Sequence, residues 1–395
     1  MDEVRNPFAP GAGSQPPELA GRDEIIRAAE VAIKRVLAGK HGRSQMFLGL
    51  RGVGKTVLLN KIEEIASDND HLTSFVESPE DNSFAELIYP KIHQALRKLS
   101  FVEGARAKAL DAMRALRSFA STFKIEMGDM AISVDAEPGV ADSGNLEYDL
   151  SELFEAVGLA AKAAGRAWTL LIDEVQYLRE GELSALIVAI HRSNQKNLPI
   201  IVFGAGLPQL AALTGDAKSY AERLFEFPEV GPLHPEEALK AIKNPILEEG
   251  EEIDEAALDE IISKTEGYPY FLQEWGFQSW NTADASPISL GDVRVASERS
   301  LSRLDEGFFK VRFDRLTPKE REYVVAMAAL GEGPYRSSDV ADRLGEPVNK
   351  LGPRRASIIK KGMIYSPEYG DLAFTVPMFA DYLNRTVIGA DLNAQ

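Results

Sequence analysis

The 395 residues contain no cysteine, which excludes disulfides, thiolate zinc sites and cysteine nucleophiles. The five histidines, His41, His71, His93, His191 and His234, are scattered without metal-ligand spacing and read as surface or hydrogen-bonded residues. No apolar run approaches the length of about 18 residues needed to span a bilayer. The start, Met1-Asp2-Glu3, lacks the basic-then-apolar order of a secretory signal. Together these absences predict a soluble cytoplasmic protein with no membrane partner. Positive charge is also scarce, with 44 Lys and Arg against 61 Asp and Glu and a net charge of −17. Spread evenly, that balance would repel nucleic acid. It is not spread evenly: residues 306–385 hold 13 Lys and Arg against 11 Asp and Glu, leaving −19 on the rest of the chain. The C-terminal segment is therefore a separate electrostatic unit, which permits a basic surface there.

The length exceeds one ordinary core and predicts two or three domains, and a hydrophobic content of 45% is that of a globular protein. Gly49-Leu50-Arg51-Gly52-Val53-Gly54-Lys55-Thr56 fits the phosphate-binding pattern G-x-x-x-x-G-K-[ST] without a mismatch. Ser44–Leu48 before it reads as a short buried strand, and the residues from Thr56 and Val57 onward carry apolar side chains at helical spacing. In this order the glycines let backbone N–H groups turn toward phosphates, Lys55 reaches the β- and γ-phosphates, and the Thr56 hydroxyl ligates Mg2+. The expected ligand is a nucleoside di- or triphosphate with Mg2+.

Trp168-Thr169-Leu170-Leu171-Ile172-Asp173-Glu174 is an apolar strand ending in two acids, the form of a Walker B segment. Asp173 would hold Mg2+ through water, and Glu174 would orient and deprotonate the attacking water. That pair separates hydrolysis from binding alone. No Asn-Lys-x-Asp guanine-reading segment occurs, and no triad, paired-carboxylate site or metal cluster appears elsewhere.

Residues 1–18, with Pro7, Pro10, Pro16 and Pro17, read as an extended or flexible arm. A helix over Asp23–Leu37, strands near 71–77, 198–204 and 225–230, and helices over 84–99 and 104–119 follow. Five strands alternating with helices predict an α/β fold, a three-layer parallel-sheet core over 19–231. The 118 positions from Lys55 to Asp173 exceed one crossover and predict an insertion near 104–145. It would include a hairpin over Lys124–Val134 turning at Gly128-Asp129, and surface insertions of this kind serve partner contacts. Helical patterns then fill 232–305. From 306 to 395, a capping box at Thr317-Pro318-Lys319-Glu320 opens three helices near 318–330, 338–344 and 353–361, followed by strand, turn and strand over 363–374. Helix, helix, helix, hairpin predicts a winged helix.

With these elements in place the chain resembles AAA+ ATPases of the origin-recognition-initiator and STAND type, in the bacterial single-chain form with a C-terminal winged helix. The resemblance covers nearly the whole length, and the choice of ATP and ADP as the nucleotide is what it implies. It implies that Leu19, Gly21 and Arg22, in Leu19-Ala20-Gly21-Arg22-Asp23, form the entry box beside adenine. It also implies that Tyr268 and Pro269, in Gly267-Tyr268-Pro269, belong to a helical lid and approach the base from the other side. Arg223 lies where this family carries a finger that neutralises γ-phosphate charge on a neighbouring subunit, which implies a homo-oligomer. Its other reading is a surface arginine paired to Glu222 or Glu226. The sequence departs from the family elsewhere. Gly204-Ala205-Gly206 has no sensor-1 side chain, and Gln209 is the nearest polar substitute. The helix 270–280 has no sensor-2 arginine, and the winged helix has no histidine of the STAND kind. Slow or partner-dependent hydrolysis is the expectation.

The resemblance thus implies a nucleotide-operated switch whose winged helix acts on DNA or on a protein partner. On the 353–361 helix, Arg354, Ser357 and Lys361 share one face with Arg355 beside them, the arrangement a winged helix would use in a DNA groove. A solvated face is the competing reading. A subunit of a transposition or defence assembly is the alternative function.

Overall fold

Residues 1–11, 19–78, 83–125, 135–136 and 138–389 are described by the computed structural model. Contacts group them into two units, taken here one at a time. The first comprises Arg22–Gly49 and Lys55–Val230. Its elements are α1 (Asp23–Leu37), β1 (Ser44–Leu48), α2 (Lys55–Asp68), β2 (His71–Glu77), α3 (Phe84–Ser100), α4 (Arg106–Thr122), α5 (Leu146–Ala163), β3 (Ala167–Asp173), α6 (Glu180–Gln195), β4 (Ile200–Gly206), α7 (Leu210–Ala217), α8 (Ala221–Leu224) and β5 (Phe225–Glu226).

The five strands form one parallel sheet in the order β2-β3-β4-β1-β5. Every residue of β1, β3 and β4 is buried, as runs such as Trp168–Ile172 require when both faces of a strand are covered. All five strands expected from the sequence are present, but the fifth is shorter. β5 ends at Glu226, and its continuation bonds only at intervals, with Leu48 N donating to Pro228 O and Val230 N to Leu48 O. Pro228 has no N–H to continue the ladder. Some buried polar side chains of this unit are paired across elements. His71 bonds Thr169 Oγ1 and Ile33 O, and burial brings its pKa down to about 4.

The insertion expected as a surface device contributes to the core instead. α4 packs against both α3 and α5 through Ala109, Ala112, Leu116 and Phe119, all fully buried. The hairpin expected at 124–134 falls, from residue 126 on, outside the described residues.

The second unit comprises Met1–Gly21, Leu50–Gly54 and the chain from Gly231. It contains α9 (Pro235–Glu248), α10 (Glu255–Thr265), α11 (Pro269–Thr282), α12 (Leu290–Leu304), α13 (Lys310–Asp314), α14 (Pro318–Ala328), β6 (Tyr335–Arg336), α15 (Ser337–Leu344), α16 (Val348–Lys360), β7 (Ile364–Tyr365), β8 (Asp371–Phe374) and α17 (Phe379–Leu383). β6, β8 and β7 pair antiparallel in that order.

Two features depart from expectation, the arm and the start of α16. The first residues of the arm predicted as flexible are packed: the buried Phe8 ring lies against Gly276, where a Cβ would come within 2.7 Å of it. Asn6 donates to Phe277 O and Asn281 Oδ1, and Trp280 Nε1 donates to Asp2 O. Residues 12–18 lie outside the described residues. Across 305/306 the chain is helical, a π-helical turn at Asp305–Phe309 joining α12 to α13. There Phe309 stacks on Tyr382 and meets Phe379. Finally, α16 begins at Val348, five residues before the expected start. Pro353 removes one backbone donor, while buried Leu351 anchors the turn before it.

Candidate functional site

In the sheet unit, β1 and β3 flank β4, so Gly49 after β1 and Asp173 at the end of β3 emerge on the same carboxyl edge. Lys55 opens α2 and is buried, its Nζ donating to Gly49 O at 2.9 Å. A buried ammonium at the first turn of a helix suits an anionic ligand such as a polyphosphate. Thr56 Oγ1 donates to Asp173 Oδ2 at 2.5 Å. Burial raises the Asp173 pKa, with the Glu174 charge adding to the effect, while the Thr56 hydroxyl and the Lys55 charge oppose it. Val57 follows on α2, half-buried. Two hard oxygens at this separation suit Mg2+, which is usually bound by few protein ligands alongside phosphate and water.

Glu174 has a left-handed backbone (φ 54, ψ 41), uncommon outside glycine. Its N–H donates to Asp173 Oδ1 at 2.9 Å, and the chain turns into a 3-10 helix over Val175–Tyr177. There Gln176 Nε2 donates to Glu174 Oε2, and Gln176 Oε1 accepts from Leu207 N at 3.1 Å. The polar group serving the end of β4 is thus Gln176. Gln209, the nearest polar residue in sequence, keeps a buried Oε1 without a hydrogen-bond partner among the described residues. Arg223, on α8, is exposed, and its side chain has no ion pair among the described residues. Glu226, one of its alternative partners, is engaged by Arg43 and Gln45. Arg22 caps α1 and is buried, which lowers its pKa.

The crest of the loop, Leu50–Gly54, belongs to the other unit. Gly52 and Gly54 take φ values of +84 and +90, which explains why glycine stands at both. Arg51 N donates to Thr375 O at 3.2 Å, and Tyr270 N donates to Gly52 O at 3.1 Å. The Tyr270 ring stacks on Phe308, and the Arg312 guanidinium lies 3.7 Å from the Phe308 ring centre. Burial, followed by the like charge of Arg51, lowers the Arg312 pKa to about 10. No local pattern marks Thr375 or Tyr270, since each lies more than 200 positions from the loop it bonds.

In the same unit the two short motifs converge on Leu233. A Cβ at Gly21 would lie 3.4 Å from Leu233 Cδ2, and Gly267 accepts a backbone hydrogen bond from Leu233 N at 2.8 Å. Leu19 is half-buried. Tyr268 is buried before Pro269, its hydroxyl has no hydrogen-bond partner among the described residues, and burial raises its pKa.

The four candidate DNA-contacting residues are engaged within their own domain. Ser357 Oγ and Lys361 Nζ donate to the two oxygens of Glu320 at 2.7 and 2.6 Å. Arg354 pairs with Glu346 at 3.1 Å, and Arg355 donates to Ser337 Oγ at 3.0 Å. Burial raises the Glu320 pKa, but the bonds from Lys361, Ser357 and Thr317 outweigh it and bring the group down to about 2. No helix among the described residues is long and apolar enough to cross a membrane.

Residues 18–203 match the family model described as the AAA ATPase domain, and residues 306–383 match a model described as a domain of unknown function. No curated protein matches the chain. Among solved structures, the Walker-type ATPase of Pyrococcus abyssi is similar with a TM-score of 0.54 and 18% identity, over 93% of this chain and 96% of that one. The Aeropyrum pernix ORC1 protein in complex with DNA gives a TM-score of 0.47 and 13% identity, covering 98% of each chain. The Thermotoga maritima RuvB Holliday junction branch migration motor gives 0.46 and 15%, over 94% of this chain and 99% of that one. The similarity to the Pyrococcus protein is one of fold.

Proposed function

We propose that this chain is an AAA+ P-loop ATPase and works as a molecular switch in which the nucleotide at the loop sets the position of the C-terminal domains. One observation carries the reading: within one unit, the loop crest exchanges backbone hydrogen bonds with distant residues, Arg51 N donating to Thr375 O and Tyr270 N to Gly52 O. Loop amides of this class turn inward to cradle phosphate oxygens. An amide donated to Thr375 is not available to a phosphate, so seating the triphosphate competes with the hold on residues 371–383. A ligand that binds one arrangement better shifts the population toward it.

In this reading Lys55 engages the β- and γ-phosphates and Glu174 takes the proton of the attacking water. Thr56 and Asp173 would hold Mg2+, which supplies charge neutralisation at the phosphates. Leu19, Gly21, Arg22, Tyr268 and Pro269 would enclose the base. The segment 306–383 would be the output, a winged helix following a helical lid. Because Arg354, Arg355, Ser357 and Lys361 are engaged internally, a protein surface suits that output better than base-specific DNA contact. Arg223, exposed and without an ion pair among the described residues, favours a second element, a finger offered to a neighbouring copy in an assembly.

Hydrogen exchange with mass spectrometry tests the switch, using Glu174→Gln to hold ATP in place. Segments 269–282 and 371–383 should exchange faster with ATP than with ADP. Equal protection in both states would reject the coupling.

A further inference from the structure

The left-handed backbone at Glu174 has a clear geometric result. It brings Gln176, two residues on, back beside the Glu174 carboxylate, and seats Val175 against the end of β4, where its Cγ2 would be 3.0 Å from a Cβ at Gly204. Gln176 then makes one bond on each side. Its Nε2 donates to Glu174 Oε2, and its Oε1 accepts from Leu207 N. A backbone N–H can only donate and a carboxylate can only accept, so the bridge between them needs one acceptor and one donor on the same group. An amide side chain provides both. The length of glutamine sets the reach, and Gly206 provides the room: a Cβ there would lie 2.7 Å from Gln176 Oε1 and 2.8 Å from Leu210 Cδ2.

The bridge ends just past β4, whose last residue, Gly206, is hydrogen-bonded to the phosphate loop's first residue. Gly49 N donates to Gly206 O at 3.1 Å, and Lys55 Nζ donates to Gly49 O at 2.9 Å. An unbroken path of bonds therefore runs from Lys55 through Gly49, Gly206 and Leu207 to Gln176 and Glu174. Both ends are groups needed at the phosphate.

We propose that Gln176 is a positioning residue for ATP hydrolysis, fixing the Glu174 carboxylate in register with the phosphate loop through the end of β4. The inference rests on Glu174 being the base. A base displaced by about 1 Å can cost on the order of 100-fold in rate, whereas nucleotide binding does not depend on where the carboxylate points.

The test is steady-state and single-turnover ATP hydrolysis by the full chain carrying Gln176→Met, which keeps the length and loses both hydrogen bonds. Its kcat should fall about 10- to 100-fold with KM for ATP within about twofold of the parent. Gly206→Ala, which displaces the amide while leaving both partners intact, should give the same split. In a Glu174→Gln background, Gln176→Met should cause no further loss of the residual single-turnover rate, because the residue acts only through Glu174. An unchanged or raised kcat, a loss confined to KM, or an undiminished loss in the Glu174→Gln background would overturn the proposal. Persistent turnover in Glu174→Gln alone would instead remove the base assignment. Full loss there beside normal turnover in Gln176→Met would remove only the role of Gln176.

Discussion

Thr56 Oγ1 and Asp173 Oδ2 meet at 2.5 Å across 117 positions of chain, joining the first turn of α2 to the end of β3. The bond gives a hydroxyl and a buried carboxylate oxygen each a hydrogen-bond partner. In the proposed reading both oxygens would serve Mg2+ instead, which would supply charge neutralisation at the phosphates.

Thr56→Ala and Asp173→Asn should therefore raise the Mg2+ concentration for half-maximal phosphate release about 10- to 100-fold. Titrating Mg2+ against turnover checks this. An unshifted curve in both variants would place the cation elsewhere.

Lys55→Ala and Glu174→Gln should separate binding from chemistry. The first removes the buried ammonium bonded to Gly49 O and should weaken ATP affinity about 10- to 100-fold in calorimetry. The second should leave affinity intact and lower kcat about 100-fold or more. Wild-type affinity in Lys55→Ala would remove this lysine from the phosphate site.

Arg223 is exposed and has no ion pair among the described residues, so its substitution should not disturb the protomer. If it acts on a neighbour's γ-phosphate, Arg223→Ala should bind ATP normally and lose most turnover, by about 1000-fold where the finger is fully used. Mixing it with the Lys55→Ala variant should restore activity, since a protomer lacking the finger then receives one from its neighbour. Additive, unrestored rates in the mixture would leave Arg223 a surface residue.

Glu320 is buried between Thr317, Ser357 and Lys361, with a folded pKa near 2 against an ordinary 4.5. A depressed carboxylate contributes stability that is complete above the unfolded value and is lost as pH falls from about 4.5 toward 2. Thermal melts should show segment 306–383 weakening through that window, with a shallower dependence in Glu320→Gln. Lys361→Ala should cost about 2 kcal/mol at neutral pH by taking one charged partner from a buried acid. A pH dependence unchanged by Glu320→Gln would assign the titration to another group.

Legibility in the sequence followed the range of the interactions. The loop Gly49–Thr56 was readable because its glycines, lysine and threonine act within eight consecutive residues. β3 and β4 were readable because strands covered on both faces are largely apolar runs. The capping box at Thr317 was readable as a local pair of bonds, but its acid also ties Lys361 and Ser357 from α16, and no local rule reaches across 41 positions. The helix face judged from spacing alone as a DNA-reading or solvated surface is instead turned, in part, toward that acid.

α4 shows the same limit. Its apolar spacing identified a helix, while only the packing of α3 and α5 on either side decided that it lies in the core. Likewise Gln209 was the nearest polar residue to the end of β4 along the chain, and Gln176 was the nearest in space. The amino-acid sequence by itself determined the phosphate loop, the acidic end of β3 and the parallel strands between them, because contiguous residues and periodic burial carry those features. Tertiary structure alone decided that Tyr270 and Thr375 hold the loop crest and that Gln176 bridges Glu174 to β4. Those contacts depend on where distant backbone N–H and C=O groups come to rest, and every residue type presents much the same backbone.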